Sequence, residues 1–445
     1  MNTSCQVVPE SSLLFIAATD KNLCTRCGTC LGVCPTGALN LDRFSYPEID
    51  HGLCIRCGLC GRVCAGGQVN FADLSELTFG HREASTDFDG DFRQSNIGYA
   101  TDARLKSGGA SGGVVSALLW NMLREGTIDG CIVTRMSHEN PCQGEPFIAS
   151  SYQDIVDSQQ SKYIVIPVNA LLSKLRRVKG RYAIVALPCQ VHGLRLLQRE
   201  APALFKKIHV IIGLYCATSL EPNVAEEMLH ARSIDPRDVA RFGFREGEWP
   251  GRIQATLTNG EVRALHQSNF KDGAINYLIY LYSPQRCQTC TDGSAEFADI
   301  SVADAWSRDS VGNYQFQGQS RCLVRTEQGM KVVQQAVAAG DVILQDVTCE
   351  GAGRTHQNHT IKKKVRAPLR VARLKKKKRP VPVYDREITE SGQMERSKEW
   401  IDALLLQLGK RKTIRLGLWK FLSSDLGVPL IRIRQMAKRR RFKPS

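Results

Sequence analysis

Between residues 97 and about 345, short apolar runs alternate with longer stretches of helical spacing. "GGVVSALLWNMLREG" carries apolar positions three and four apart and stops at Gly126, a residue suited to ending a helix. "IDGCIVTRM", "RYAIVALPC" and "KIHVIIGLYC" are near-continuous apolar runs of strand length, the pattern of strands covered on both faces. Strands alternating with helices predict an α/β domain with a mostly parallel sheet over residues 97–355. To either side this pattern lapses. Residues 1–80 form a small α+β module around an internal repeat, and the polar stretch "HREASTDFDGDFRQSN", residues 81–96, reads as a linker. From Lys362 a basic linker, "KKKVRAPLRVARLKKKKRPVPVY", leads to a helical tail ending at residue 445. In that tail Trp400, Ile401, Leu404, Leu405 and Leu408 share one helical face.

The repeat carries the clearest chemistry. Cys24, Cys27, Cys30 and Cys34 follow C-x2-C-x2-C-x3-C-P, and Cys54, Cys57, Cys60 and Cys64 repeat the spacing without the proline. Residues three apart in a tight loop aim their sulfurs at one centre, and in two-cluster ferredoxins the fourth cysteine reaches the other cluster. The spacing therefore assigns one 4Fe–4S cluster to Cys24, Cys27, Cys30 and Cys64, and a second to Cys54, Cys57, Cys60 and Cys34. A disulfide framework would suit a small secreted domain, and zinc prefers two separated cysteine pairs. Neither matches this ferredoxin-like arrangement.

Two further groups lie in the α/β region. "KSGGASGG", with Ser107, Gly108, Gly109, Ser111, Gly112 and Gly113, immediately precedes a predicted helix. Helical N–H groups attract anions such as a pyrophosphate, although a Gly/Ser-rich run is also an ordinary loop. Cys189 and Cys216 follow adjacent predicted strands, and Cys287 and Cys290 form "CQTC". The four sulfurs could hold a third cluster; equally, the first two could be buried thiols and the last two a zinc or chance pair.

Taken in order, "KSGGASGGVVSALLWNMLREGTIDG", "QSKYIV", "LPCQVHGLRLL", "GLYCATSLEPN" and "CQTCTDGSAEFADISVADAW" resemble the beta-subunit family of coenzyme F-420 hydrogenases and dehydrogenases. The resemblance spans Cys24 to Gly353 and implies an FAD-binding α/β domain with its own 4Fe–4S cluster, here matching Cys189, Cys216, Cys287 and Cys290. It also implies that the "SGGASGG" loop, with Ser161, Lys162 and Tyr163, lies near the flavin. Three departures stand out: Ala303 and Ser307 flank Asp304 and Trp306, the second quartet ends "CAGG", and the basic tail lies outside the resemblance. His192, just after "LPCQ", is a candidate proton donor to a reduced substrate if it faces the flavin.

Charge changes the reading only at the C-terminus. From Lys362 onward 26 Lys/Arg stand against 7 Asp/Glu, a net +19 in a chain of net +16, so residues 1–361 sum to −3. Nucleic acid binding by the whole body is disfavoured by that split, whereas a basic amphipathic tail could meet an anionic membrane surface or a partner. A chain ending before Lys362 is expected to keep its cofactors. The seventeen cysteines are mostly grouped as ligands, no run approaches a membrane span, and the N-terminus lacks a signal-peptide pattern. The expected setting is cytoplasmic, with peripheral contact at the inner membrane face through the tail.

The resulting expectation is an iron–sulfur flavoprotein oxidoreductase. It would pass electrons between 4Fe–4S clusters, FAD and an organic acceptor or donor, with ferredoxin or a dehydrogenase subunit as redox partner. A non-catalytic electron-transfer subunit and a redox-sensing binding protein are the alternatives. No motif reads the substrate directly.

Overall fold

The computed structural model describes residues 21–422 other than 86, 267–268, 272–274, 310–312, 348–360 and 387–391, with positions 424, 427, 429 and 433 beyond. In the cysteine-rich module, β1 (Leu39–Leu41) and β2 (Pro47–Ile49) pair antiparallel. Strand β3 (Gln68–Val69) then leads into a helix, Phe71–Phe79. Asn70 caps that helix by accepting from the Asp73 N–H, and Gly80 ends it at φ 81°.

Eight strands form the main sheet: β4 (Gln94–Ala100), β5 (Gly130–Met136), β6 (Gly144–Ala149), β7 (Tyr182–Ala186), β8 (Ile208–Leu214), β12 (Ile300–Asp304), β13 (Ser320–Val324) and β14 (Val342–Asp346). Three more, β9 (Val239–Glu246), β10 (Arg252–Leu257) and β11 (Val262–Ala264), make a separate antiparallel sheet. The large sheet runs β14-β4-β13-β12-β8-β7-β5-β6. The three apolar runs noted in the sequence are β5, β7 and β8. They lie side by side and parallel, as does β12 beside β8.

The sheet is nevertheless mixed, and the expectation of a mostly parallel one is corrected. Of its seven strand pairings only those three central ones are parallel. Parallel neighbours need a crossover, whereas β5 returns directly as β6 through a turn closed by the Ser137 N–H donating to the Gln143 carbonyl. The centre is covered on both faces, and alternate residues of one strand enter opposite cores. Ile211 joins the cluster containing Leu194 and Phe297, while Val210 and Ile212 join the one containing Leu118 and Val333.

The N-terminal module is pressed onto this body. A Cβ on Gly32 would lie 2.2 Å from the Asn169 carbonyl, so no larger residue fits. Asn169 donates to the Thr29 hydroxyl at 2.8 Å, and Arg26 pairs with Glu221 at 2.8 Å. The stretch expected to be a linker, residues 81–96, instead buries Phe88 and Asp89 and runs into β4. Tyr215 and Arg321 both donate to the Asp89 carboxylate.

The basic C-terminal segment is also built into the fold. A π-helical turn, Ile361–Arg366, continues as the helix Ala367–Lys376. Strand β15 (Val383–Tyr384) adds parallel to β3, and the helices Gln393–Gly409 and Lys412–Leu422 follow. Several of its cations are paired with carboxylates, while the run Lys375–Arg379 is exposed. Arg370 reaches Glu399, Arg366 reaches Glu395 and Asp402, and Arg415 reaches Glu227 on the body. Trp419 is fully buried. Residues 362–384 are thus packed helix and strand, and the linker reading of them is corrected. The predicted face of Trp400, Ile401, Leu404, Leu405 and Leu408 points to solvent, while Ala403 and Leu406 face the body. Among the described residues no helix is long and apolar enough to cross a membrane.

Candidate functional site

The two cysteine quartets share one backbone. Arg26 and Arg56 adopt φ 56° and 54°, and Gly28 and Gly58 follow at 83° and 68°, each glycine preceding a short helix. These left-handed turns curl the chain around a centre and direct N–H groups towards sulfur. The Arg26 N–H donates to Cys24 Sγ and the Gly66 N–H to Cys64 Sγ, both at 3.4 Å.

The electrostatics group the thiols across the repeat. Burial pushes Cys30 well above the usual thiol range, reinforced by Cys27, Cys64 and Cys24. Cys64 is raised to about 12, again by burial and then by Cys27. Cys60 is raised to about 11 by burial, with Cys57, Cys34 and Cys54 adding to it. Cys64 therefore stands with Cys24, Cys27 and Cys30, and Cys34 with Cys54, Cys57 and Cys60. Thiols so disfavoured as anions would ionise only against a strong local positive charge, which iron supplies. The donor set fits iron–sulfur clusters in number, type and grouping. Among the described residues no three His, Cys, Asp or Glu side chains are grouped as ligands of one metal ion.

Four more cysteines meet at the ends of the central strands. Cys189 is the second residue of the helix Pro188–Glu200 that follows β7, and Cys216 lies two residues past β8. Cys287 sits in the short helix Gln285–Gln288, and Cys290 just beyond it. Burial pushes the Cys189 thiol well up, and Cys27, Cys287, Cys290 and Cys216 add to it. Because Cys27 belongs to the first group, the first and third groups are neighbours.

Arg286 joins them. Its buried guanidinium donates to the Gly66 and Ala65 carbonyls and to the Tyr384 hydroxyl. Lys363 is 5% exposed and opposes the upward push that burial exerts on Cys216. Sequence reasoning missed both residues. Arg286 borders "CQTC" and could have been noticed, whereas Lys363 is hidden in a lysine run that looks solvated.

A cavity of about 370 Å³ opens beside Cys216, lined by Gly109, Ser111, Gly113, Lys162, Tyr163 and Trp306 among others. Gly113 caps the helix Val114–Arg124 without any side-chain cap, leaving the first helical N–H groups to face the cavity. Ser111 and Ser320 hydroxyls meet at 2.8 Å at its rim. Ser107, Gly108 and Gly112 stand behind this lining. A Cβ on Gly112 would come within 2.4 Å of the Gly98 carbonyl, so that glycine answers to packing against β4. Cavity size, uncapped helix start and hydroxyl rim fit a pyrophosphate-bearing cofactor such as FAD.

Lys162 is placed differently from a simple cofactor ligand. Its ammonium donates to the carbonyls of Ser158, Gln159 and Gln160, so all three hydrogens are committed. Burial pulls its pKa down to about 7. Tyr163 stacks on Phe270 at 4.3 Å, and Trp306 stacks on Trp249 at 4.9 Å. Asp304 takes both Arg245 N–H groups at 2.8 and 2.9 Å, which fixes the turn carrying Trp306. His192 does not line the cavity. Its Nε2 meets Asp292 at 2.9 Å between Phe71 and Phe297, inside the wall behind Cys189. Of the ungrouped cysteines, Cys131, Cys142 and Cys322 are buried core residues, and Cys5 and Cys349 lie outside the described residues.

Residues 23–74 match the 4Fe-4S dicluster domain. Residues 97–173 and 179–350 match the N-terminal and C-terminal parts of the coenzyme F420 hydrogenase/dehydrogenase beta subunit. The chain is 27% identical to the coenzyme F420-dependent sulfite reductase of Methanocaldococcus jannaschii over 70% of its own length, and spans 46% of that protein. It is 26% identical to one of the subunits of the F(420)H(2) dehydrogenase of Methanosarcina mazei, covering 70% of this chain and 81% of that one. The beta subunit of the coenzyme F420 hydrogenase of Methanothermobacter thermautotrophicus is 27% identical, over 56% of this chain and 83% of that one. A chain from the F420-reducing [NiFe] hydrogenase complex of Methanosarcina barkeri shares the fold, with TM-score 0.52 and 20% identity over 65% of this chain and 96% of its own. The chain belongs to the coenzyme F420 hydrogenase/dehydrogenase beta-subunit family and is an iron–sulfur electron-transfer protein whose N-terminal dicluster domain carries eight cysteines.

Proposed function

We propose that this protein is an FAD- and iron–sulfur-dependent oxidoreductase, with a third 4Fe–4S cluster on Cys189, Cys216, Cys287 and Cys290 and FAD in the cavity beside them. One observation carries the reading: each cysteine group has charge neighbours in the next, and the third borders the cavity. Cys34, Cys54, Cys57 and Cys60 stand next to the group containing Cys27, Cys27 neighbours Cys189, and Cys216 lines the cavity wall. When bound, the clusters supply one-electron steps and the flavin exchanges them for two-electron chemistry with an organic substrate. The chain's own part is spacing, burial and orientation. The uncapped start of Val114–Arg124 and the Ser111 hydroxyl would hold the pyrophosphate, and the stacked Trp306 and Tyr163 would flank the ring system.

The substrate is an organic acceptor or donor of the coenzyme F420 kind or another small molecule that fits against Trp306. Electrons exchange with a redox partner at the outer quartet, where Leu53 and Ile55 expose apolar surface on either side of Cys54. A second reading, a non-catalytic subunit of a larger assembly, is favoured by that same exposed edge and by relatives named as subunits.

The test uses full-length protein purified without oxygen. It should carry about twelve irons if three 4Fe–4S clusters are present, and one FAD. Cys189→Ser should remove about four irons and slow flavin reduction by reduced ferredoxin, while both dicluster signals remain reducible. Twelve irons retained in Cys189→Ser, with flavin reduction unimpaired, would refute the third site. Turnover of a deazaflavin acceptor by the isolated chain separates an enzyme from a passive subunit.

A further inference from the structure

The region matched to the family ends at residue 350, yet a residue beyond it enters the heart of the site. Lys363 is carried by the π-helical turn Ile361–Arg366 and is buried. A Cβ on Gly293 would lie 3.1 Å from Lys363 Cγ, and the Gly293 carbonyl accepts the Cys216 N–H at 2.9 Å. Cys290 Sγ contacts the neighbouring Asp292 carbonyl at 3.2 Å. The lysine stem therefore passes along the short backbone stretch that holds Cys216 and Cys290 in place. On its far side, Lys364 and Arg386 both reach Glu296, which locks the turn onto the body. The groups whose charges act most on the Lys363 ammonium are Cys290, Cys216, Cys287 and Asp292, and Tyr384 also feels it.

We infer that Lys363 is a positioning residue contributed by the C-terminal segment, and that its buried charge raises the reduction potential of the cluster on Cys189, Cys216, Cys287 and Cys290. The inference rests on the proposed third cluster. An electron arriving there adds one negative charge, with no bond made and no proton required. A cation fixed in a poorly screened site favours the reduced form over the oxidised one. Burial keeps this influence from being averaged away by salt. The cluster beside the cavity thus becomes an electron sink relative to the first two, whose cysteines are not among the groups that act most on Lys363. The C-terminal segment thereby couples its own docking to the direction of electron flow.

The experiment is a redox titration of full-length, anaerobically purified protein, followed by electron paramagnetic resonance, with iron content measured in parallel. Lys363→Met should keep all iron yet shift the third cluster's reduction equilibrium at least tenfold towards oxidised, ~59 mV for a one-electron couple. The first two clusters should not move, and Lys363→Arg should restore the wild-type value. Lys363→Gln repeats the neutral substitution with a polar side chain. An unchanged midpoint in Lys363→Met with iron intact overturns the inference. So does loss of the third cluster's iron in both neutral variants with Lys363→Arg intact, because the lysine is then an assembly prop. Wild-type protein with only about eight irons fails the third-cluster reading itself, a result distinct from either.

Discussion

Trp419→Ala measures how firmly the C-terminal segment is bound to the body. Trp419 is 0% exposed, its ring lies 5.6 Å from His266, and four residues before it Arg415 pairs with Glu227 at 2.6 Å. Burying a tryptophan removes about 200 Å² from water, worth about 5 kcal/mol at about 25 cal/mol per Å². Truncations of buried large aromatics cost ~3–5 kcal/mol, and the area figure is an upper bound because unfolded chains are partly compact. The helix Lys412–Leu422 can open without unfolding the sheet, so the loss should appear first as local opening. At ~1.4 kcal/mol per factor of ten, amide hydrogen exchange across Lys412–Leu422 should speed up by roughly 100- to 4000-fold. Trp400→Ala, on the exposed face of the preceding helix, is the control and should change stability by less than ~0.5 kcal/mol. Exchange in Lys412–Leu422 within about threefold of wild type would refute the claim that this tryptophan anchors the segment.

Cys34→Ser should damage the cluster of Cys54, Cys57 and Cys60, because Cys34 stands with that trio and not with its own sequence neighbours. Spectra showing the loss confined to the cluster of Cys24, Cys27 and Cys30 would reverse the pairing. The tail's exposed apolar face is tested without truncation, since truncation removes buried structure: Trp400→Glu with Leu404→Glu should reduce sedimentation with anionic vesicles at low salt and leave iron content unchanged. Equal sedimentation of wild type and double variant removes the membrane role for this face.

The dicluster module was legible because its chemistry is local. Spacing along the chain sets the turns at Arg26, Gly28, Arg56 and Gly58, and the repeated backbone follows from the repeated sequence. Strands β5, β7 and β8 were legible for a similar reason, since complete burial leaves continuous apolar runs. The antiparallel flanks were not, because direction is decided by the connection, and the Ser137–Gln143 turn carries no helical signal to mark its absence of crossover. Residues 81–96 looked like a linker because Asp89 is polar. Its partners, Tyr215 and Arg321, are distant in sequence and cannot be paired with it by pattern. His192 misled through its position after "LPCQ": helix phase turns it towards Asp292 and Phe297, while the cavity is faced by Cys216 across the strand ends.

The basic tail is the most instructive case, because average charge concealed what individual cations do. A run of lysine and arginine normally signals a solvated surface, and a net +19 beyond residue 361 encourages that view. Burying a cation is costly unless it is paired. The fold meets that cost separately at Arg366, Arg370, Lys364, Arg386 and Arg415, each against a carboxylate. Two of those carboxylates, Glu395 and Glu399, belong to the tail itself, but Glu296 and Glu227 belong to the body, so the ion pairs also fix where the tail docks. Tyr384 completes the connection by accepting from Arg286, which in turn holds the Ala65 and Gly66 carbonyls of the dicluster module. One segment outside the matched family region therefore touches the dicluster domain, the "CQTC" pair and the wall of the cavity. Losing it would disturb all three together.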